Sequence, residues 1–189
     1  MQIFFTADTH FAHSNICAGT SNWTPNSGQR EFPTVDEMNT HLINNINAAV
    51  GAADILWHLG DWSFGGFENI KLFRDQINCK NIHLLLGNHD HHIENNKNNV
   101  QRLFASVGHY KELRVGKQFI TMLHYPVISW REIHRGAWML HGHCHGSLTP
   151  QLGKILDVGV DTNSYQVYSI DMIADLMLTK KMVGVDHHN

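Results

Sequence analysis

The run Ile82-His83-Leu84-Leu85-Leu86, closed by Gly87-Asn88-His89-Asp90, decides how this chain is read. An apolar run of that length bounded by Gly-Asn reads as a buried strand ending in a sharp turn, so Asn88, His89 and Asp90 leave the strand at its C-terminal end. Ligands of open α/β sheets bind at that end. Taken alone, the segment is equally an ordinary strand-to-loop turn, because Gly and Asn form turns readily and Asp follows them easily. The flanking segments have to separate the two readings.

Upstream, residues 2–7 form an apolar, β-prone run ending at Asp8-Thr9-His10. If the backbone stays extended there, Asp8 and His10 project to one side and can grip one cation. The stretch up to Pro33 is rich in Gly, Ser, Thr, Asn and Pro, too long for a simple connection, and reads as a functional surface loop. Thr34-Val35-Asp36-Glu37 has capping-box spacing and opens a helix that should stop near Gly51. Asp54 to Leu59 reads as a second buried strand, delivering Gly60-Asp61. Gly65-Gly66 then turns the chain into an amphipathic helix over Phe67 to Ile77. Strand, helix, strand, helix, strand is the pattern of parallel βαβ units.

Downstream, Asn98 to Val107 reads as a further helix, after which the chain becomes β-prone. His109 to Val115 and Gln118 to His124 make a hairpin around Gly116-Lys117, and the second run delivers His124-Tyr125-Pro126. Ala137-Trp138-Met139-Leu140 leads to His141-Gly142-His143-Cys144-His145. In extended backbone His143 and His145 face one way and Cys144 the other, as a buried bystander thiol. Ile155 to Val160 and a helix from about Ile170 to Met182 close a single domain spanning residues 1–189.

Composition narrows the function classes. The formal net charge of -3 gives no basic footprint, which argues against an extended nucleic-acid partner. The segment Met1 to Asp8 lacks a basic n-region, and its apolar stretch is too short for a signal peptide or a membrane span. Three widely separated cysteines suit free thiols, so a cytoplasmic location without a membrane partner is expected. Sixteen histidines outnumber the 14 Lys and Arg together and prompt a search for metal-ligand geometry. His91 and His92, in a polar loop, and His187 and His188, at a polar terminus, read as solvated bystanders.

The residues at strand ends are Asp8, His10, Asp61, Asn88, His89, His124, His143 and His145, a mixed oxygen and nitrogen set suited to Mn²⁺, Fe or Zn²⁺. Eight such groups exceed the three or four protein ligands of one catalytic zinc, so two metals are the economical reading. Asp8-x-His10, Gly60-Asp61, Gly87-Asn88-His89-Asp90, a lone His124 and Gly142-His143-x-His145 together resemble, in order, the five motifs of the calcineurin-like metallophosphoesterases. The resemblance spans roughly residues 3 to 161. It implies an α/β four-layer α-β-β-α sandwich of two mixed β-sheets flanked by helices. It further implies one divalent metal on Asp8, His10, Asp61 and His145, and a second on Asp61, Asn88, His124 and His143, with Asp61 bridging. Mn²⁺ is the leading choice, with Zn²⁺, Fe²⁺/Fe³⁺ or Ni²⁺ as alternatives. Two such cations against two carboxylates leave a charge of about +2, suited to a small phosphate ester. Hydroxide would attack in line, with His89 protonating the leaving alkoxide. The bland alternative for His89 is a turn histidine that only orients Asn88.

Departures from the family pattern narrow the branch. Trp62-Ser63-Phe64-Gly65 follows Gly60-Asp61, where protein Ser/Thr phosphatases carry an Asp and an Arg, so protein phosphatase activity is not expected. No carboxylate that would orient His89 stands out. Asp90 and a backbone carbonyl are both candidates. His13 and Asn15 are candidates for phosphate contact or for loop packing, and Arg30, Arg131 and Arg135 for a phosphate clamp or solvated charge. Trp23, Trp62 and Trp130 are candidates for base stacking or for packing. The leading expectation is a stand-alone dinuclear metal phosphoesterase acting on a small phosphodiester or phosphomonoester, with a nucleotide among the candidates. A fold-sharing binding module and a nuclease acting on nucleic-acid ends are the competing readings.

Overall fold

The computed structural model describes residues 1–25, 27–149 and 153–183. His187 and His188 lie outside them, as does part of the expected terminal segment. Two mixed sheets form a sandwich flanked by helices, the architecture the motifs implied. The first sheet contains β1 (Ile3–Thr6), β2 (Ile55–His58), β3 (Asn81–Leu85), β4 (Ser106–Gly108) and β9 (Tyr168–Ser169). Its order is β4-β3-β2-β1-β9, with β1 to β4 parallel and β9 antiparallel to β1. The second holds β5 (Tyr110–Val115), β6 (Gln118–Leu123), β7 (Trp138–His141) and β8 (Ile155–Asp157), in the order β5-β6-β7-β8. Here β5 and β6 form the expected hairpin, and β6, β7 and β8 run parallel.

Both faces of the central strands are buried, which is why they read as unbroken apolar runs and not as alternating ones. On the inner faces Phe5, Trp57 and Leu85 of the first sheet pack with Ile120, Met122, Leu140 and Leu156 of the second. On the outer face of the first sheet, Phe4, Leu56, Ile82 and Leu84 pack under α1 (Val35–Ala49) and α2 (Phe67–Gln76). Met38, Leu42 and Ile46 of α1 and Ile70 and Phe73 of α2 recur at three- and four-residue intervals, so each helix turns one apolar stripe inward. The capping box works as read, with Thr34 Oγ1 accepting the Glu37 N–H at 3.2 Å. α4 (Ile170–Thr179) drives Ile173 and Met177 into the core between the sheets. Trp130 and Ile133, beside a 3₁₀ turn at Ile133–Arg135, cover Phe119 and Met139 on the outer face of the second sheet.

Three local expectations change. The segment read as a helix over Asn98 to Val107 is a kinked 3₁₀ stretch, Lys97–Leu103, followed by β4. Asn98 and Asn99 sit in left-handed backbone (φ 55° and 54°), which breaks a regular helix but which Asn tolerates well. His91 and His92 open a short helix, α3 (His91–Glu94), where a loop was expected. The closing helix ends at Thr179, before Met182.

This topology fixes where chemistry can occur. β1, β2 and β3 are parallel, so Asp8-Thr9-His10, Gly60-Asp61 and Gly87-Asn88-His89-Asp90 leave the same edge of the first sheet. The parallel pair β6 and β7 sends His124 and His143-Cys144-His145 toward that edge from the second sheet.

Candidate metal centre

The chain leaves β1 and β7 through tight left-handed turns, not in extended form. Asp8 (φ 56°), His10 (φ 47°), Asp61 (φ 59°), His143 (φ 70°) and His145 (φ 48°) all adopt positive φ. The extended-strand argument for Asp8 with His10, and for His143 with His145, therefore gives way to a different cause of proximity. Non-glycine residues in this region are uncommon and cost of order 1–3 kcal/mol each, and they persist where surrounding contacts over-determine them. Those contacts are visible. Asp8 N–H donates to the Gly60 carbonyl at 2.9 Å, and His10 N–H to the Asp61 carbonyl at 3.0 Å. The His143 N–H donates across the two sheets to the Asp8 carboxylate, at 3.0 and 3.1 Å to its two oxygens.

The glycines of the two central motifs have a steric reason. A side chain on Gly60 (φ +100°) would place its Cβ 2.7 Å from the Gly87 nitrogen, and one on Gly87 would place it 2.6 Å from the Asp61 nitrogen. The two loops touch backbone to backbone. Asp90 explains how they are held: its buried carboxylate accepts the Asp61 and Gly87 N–H groups at 2.8 Å each and the Trp62 N–H at 2.9 Å. Burial pushes this carboxyl up to about 6, against the lowering effect of those hydrogen bonds. Asp90 is thus a clamp between two loops, its carboxylate occupied by three backbone N–H groups.

Side chains converge inside this frame. Asp61 Oδ2 lies 3.6 Å from His10 Nε2 and 3.4 Å from His124 Nε2, and Asn88 Oδ1 lies 3.1 Å from His124 Nε2 and 2.9 Å from His143 Nδ1. His10 and His145 stack with their Nε2 atoms 3.3 Å apart. Two carboxylate and imidazole groups have ligand atoms all within 4.8 Å of one another: Asp8 with His10 and His145, and Asp8 with Asp61 and His124. Asp8 is common to both, and Asp61 stands between His10 and His124, so both carboxylates are central.

The tautomers decide what these atoms can bind. The Leu59 carbonyl, 2.8 Å from His124 Nδ1, can only accept, so that nitrogen carries the proton. Nε2 then faces Asp61 Oδ2 and Asn88 Oδ1, where in the absence of a cation it carries a second proton: against the effect of burial, the Asp61 carboxylate raises the imidazole above its ordinary value. His145 Nδ1 is likewise held at 2.6 Å by the Asp161 carboxylate, which turns its Nε2 toward His10. Acceptor atoms converging on one point need a positive charge among them, either a proton or a metal ion. The donor set, imidazole and oxygen without thiolate, fits a borderline or hard divalent cation. Titration reflects the same crowding. Burial pushes Asp8 up to about 7, opposed by His145 and His124. Burial would also raise Asp61, but the hydrogen bond and charge of His124, with His10, hold it well below the usual carboxylate range.

The remaining candidates divide. His89 is exposed at the rim, its ring against His10 and Phe64 (centroids 5.4 and 5.0 Å), and its N–H donates to Asp61 Oδ1 at 2.9 Å. His13 stacks on Phe64 at 3.9 Å and sits beside His10 at 5.6 Å. Asn15 Oδ1 accepts the Asn22 N–H at 3.4 Å, a loop-packing contact. Arg131 pairs with Glu112 at 2.9 Å and lies over Phe119, and Arg135 is exposed on its 3₁₀ turn. Neither of these contacts belongs to the cluster.

Arg30 is the clearest departure. Read as a loop residue offered to phosphate, it is instead 2% exposed. Its Nε and Nη2 grip Asp161 at 2.7 and 2.8 Å, Nη2 and Nη1 donate to the carbonyls of Asp8 and Thr9 at 2.6 and 3.0 Å, and Nη1 also meets Met38 Sδ at 3.5 Å. All five N–H groups are used within the fold, so none is left for a substrate. Asp161, which the motif reading missed, therefore joins Arg30 to His145. Its only signal in the sequence is an acidic residue just past the run Ile155 to Val160. Trp62 and Trp130 are core residues, at 0% and 8% exposure, and Cys144 is half-buried, not buried. Among the described residues no helix is long and apolar enough to cross a membrane.

A two-sheet α/β sandwich with a histidine and aspartate cluster where the sheets meet is the class that fold and site define. No family model matches the chain. An uncharacterized protein of Methanocaldococcus jannaschii is 27% identical over 191 residues, covering 96% of this chain and 94% of that protein. The crystal structure of a protein of unknown function from Aquifex aeolicus matches 93% of this chain and 98% of that one, with a TM-score of 0.64 and 21% identity. An archaeal phosphodiesterase matches 90% of this chain and 99% of its own, with a TM-score of 0.51 and 18% identity. These likenesses establish a shared fold.

Proposed function

We propose that the protein is a metal-dependent phosphoesterase that hydrolyses a small phosphodiester or phosphomonoester. The observation that carries the reading is the convergence of the ligand atoms of Asp8, His10, Asp61, His124 and His145 beside the exposed ring of His89. The resemblance to calcineurin-like enzymes and the shared fold with an archaeal phosphodiesterase support it. Two divalent ions, Mn²⁺ foremost, would be held by Asp8, His10, Asp61 and His145 and by Asp61, Asn88, His124 and His143. Such a pair supplies Lewis acidity toward water and the ester oxygens.

The chain's own residues perform the rest. Asp161 and the Leu59 carbonyl fix the tautomers of His145 and His124, so both rings present Nε2 without reorganisation. Asp90 holds the Asp61 and Asn88 loops in register. His89, exposed at the rim beside His10, delivers a proton to the leaving alkoxide, a positioned transfer typically contributing about 10²- to 10⁴-fold. Chelator-sensitive, Mn²⁺-stimulated hydrolysis of bis-p-nitrophenyl phosphate or p-nitrophenyl phosphate is the expected result. Absence of turnover of both esters with Mn²⁺, Zn²⁺, Ni²⁺ and Fe²⁺ refutes the reading.

A further inference from the structure

Of three candidate tryptophans, two are consumed by the core and one is not. Trp23, on the long loop before α1, is 39% exposed. It lines a cavity of about 540 Å³ together with His143, His145, Asp161, Ile16 and Gln29. It also borders a neighbouring hollow of about 440 Å³ lined by Glu31 and Gln29. The indole makes an edge contact to His13 (centroids 5.5 Å), and His13 in turn rests on Phe64. An aromatic surface therefore borders the same space as His143 and His145, and the volume is that of a small-molecule site.

The chemistry of the walls selects the occupant. Among the described residues no Lys or Arg lines either hollow, and Asp161, the charged group in the larger one, is neutralised by Arg30 and His145. A second phosphate or a polynucleotide backbone finds no cation there. The polar lining is also largely spent. The Gln29 amide donates to the Thr24 carbonyl and its oxygen accepts the Ser27 N–H, while the Ser147 hydroxyl donates to the Cys144 carbonyl. The Trp23 indole is the aromatic face these walls offer.

We propose that this cavity is the subsite for the organic part of the ester: a planar aromatic ring, an aryl group or a nucleobase of either class, stacks on Trp23 while a single phosphate lies at the histidine wall. This rests on the phosphoesterase reading above. It makes the substrate a ring-bearing ester with one phosphate, recognised by its π-face and not by its edge.

Phenylphosphonate and methylphosphonate carry the same anionic group and no leaving group, so their affinities for the Mn²⁺-loaded protein, measured by calorimetry, isolate the ring. Phenylphosphonate is expected to bind at least about fivefold tighter. That ratio should collapse to about one in Trp23→Ala and be largely retained in Trp23→Phe, with circular dichroism verifying that both variants fold. A ratio near one in the native protein, or a ratio that survives Trp23→Ala, overturns the subsite while leaving the phosphoesterase reading intact. Absence of metal-dependent binding of either phosphonate overturns both together.

Discussion

Replacing Asp90 by Asn tests whether the clamp between the two central loops matters, and the structure sets the size of the effect. In the native protein one carboxylate oxygen accepts from Asp61 and Gly87 and the other from Trp62. An asparagine can keep its carbonyl oxygen toward the first pair, but its amide nitrogen then faces the Trp62 N–H, donor against donor. A buried donor left without an acceptor costs about 1–3 kcal/mol. Burial already penalises the ionised carboxylate, whose pKa stands at about 6, so the neutral amide recovers part of that loss. A net destabilisation of about 1–2 kcal/mol corresponds to a fall in Tm of about 2–8 °C for a chain of this length. Asp90→Ala, which removes all three acceptors, should fall further. Thermal unfolding followed by circular dichroism in chelator measures this, and Mn²⁺ titration should show affinity weakened by about 10- to 100-fold, the usual consequence of disturbing a group that orients metal ligands. An Asp90→Asn protein with native Tm and native metal affinity refutes the clamp.

Asp161→Asn should weaken Mn²⁺ binding by a similar factor, because it releases His145 Nδ1 and frees Arg30, and unchanged calorimetric affinity argues against that relay. Metal affinity should rise with pH: burial keeps Asp8 protonated up to about 7 in the metal-free protein, and a cation requires the carboxylate, so binding displaces a proton below that pH. The Mn²⁺-induced rise in Tm should therefore be larger at pH 7.5 than at pH 5.5, and a pH-independent shift contradicts it. His89→Ala should slow hydrolysis of alkyl esters far more than that of nitrophenyl esters, with metal content intact, whereas equal losses on both remove its acid role.

Much of the frame was legible in the sequence because apolar runs ending in Gly-Asp, Gly-Asn or His report buried strands and their C-terminal ends directly. The Thr34 cap, the hairpin at Gly116-Lys117 and the βαβ alternation are local signals, and the structure carries each of them. Less legible was anything set by long-range packing. Arg30 looked like a solvated loop cation because nothing near it in the sequence shows that Asp161 and the carbonyls of Asp8 and Thr9 lie around it. The left-handed backbone at Asp8, His10, His143 and His145 is imposed by contacts between loops, so the extended geometry assumed for them was the wrong route to their proximity. The stretch from Lys97 to Gly108 holds two elements where periodicity suggested one, since Asn98 and Asn99 interrupt the helix and β4 is only a short edge strand.

The placement of the cluster between the two sheets also bears on how the protein is made. His10 and His145 are separated by 135 residues, as are Asp8 and the His143 N–H it accepts. A nascent or refolding chain that has completed one sheet owns only half the donors, and contacts of such sequence separation form late. If the cluster holds the proposed cation, metal uptake during refolding would report the meeting of the sheets and not the formation of either one. On the metal-dependent reading, the chain would become able to capture an ion only when its architecture is finished.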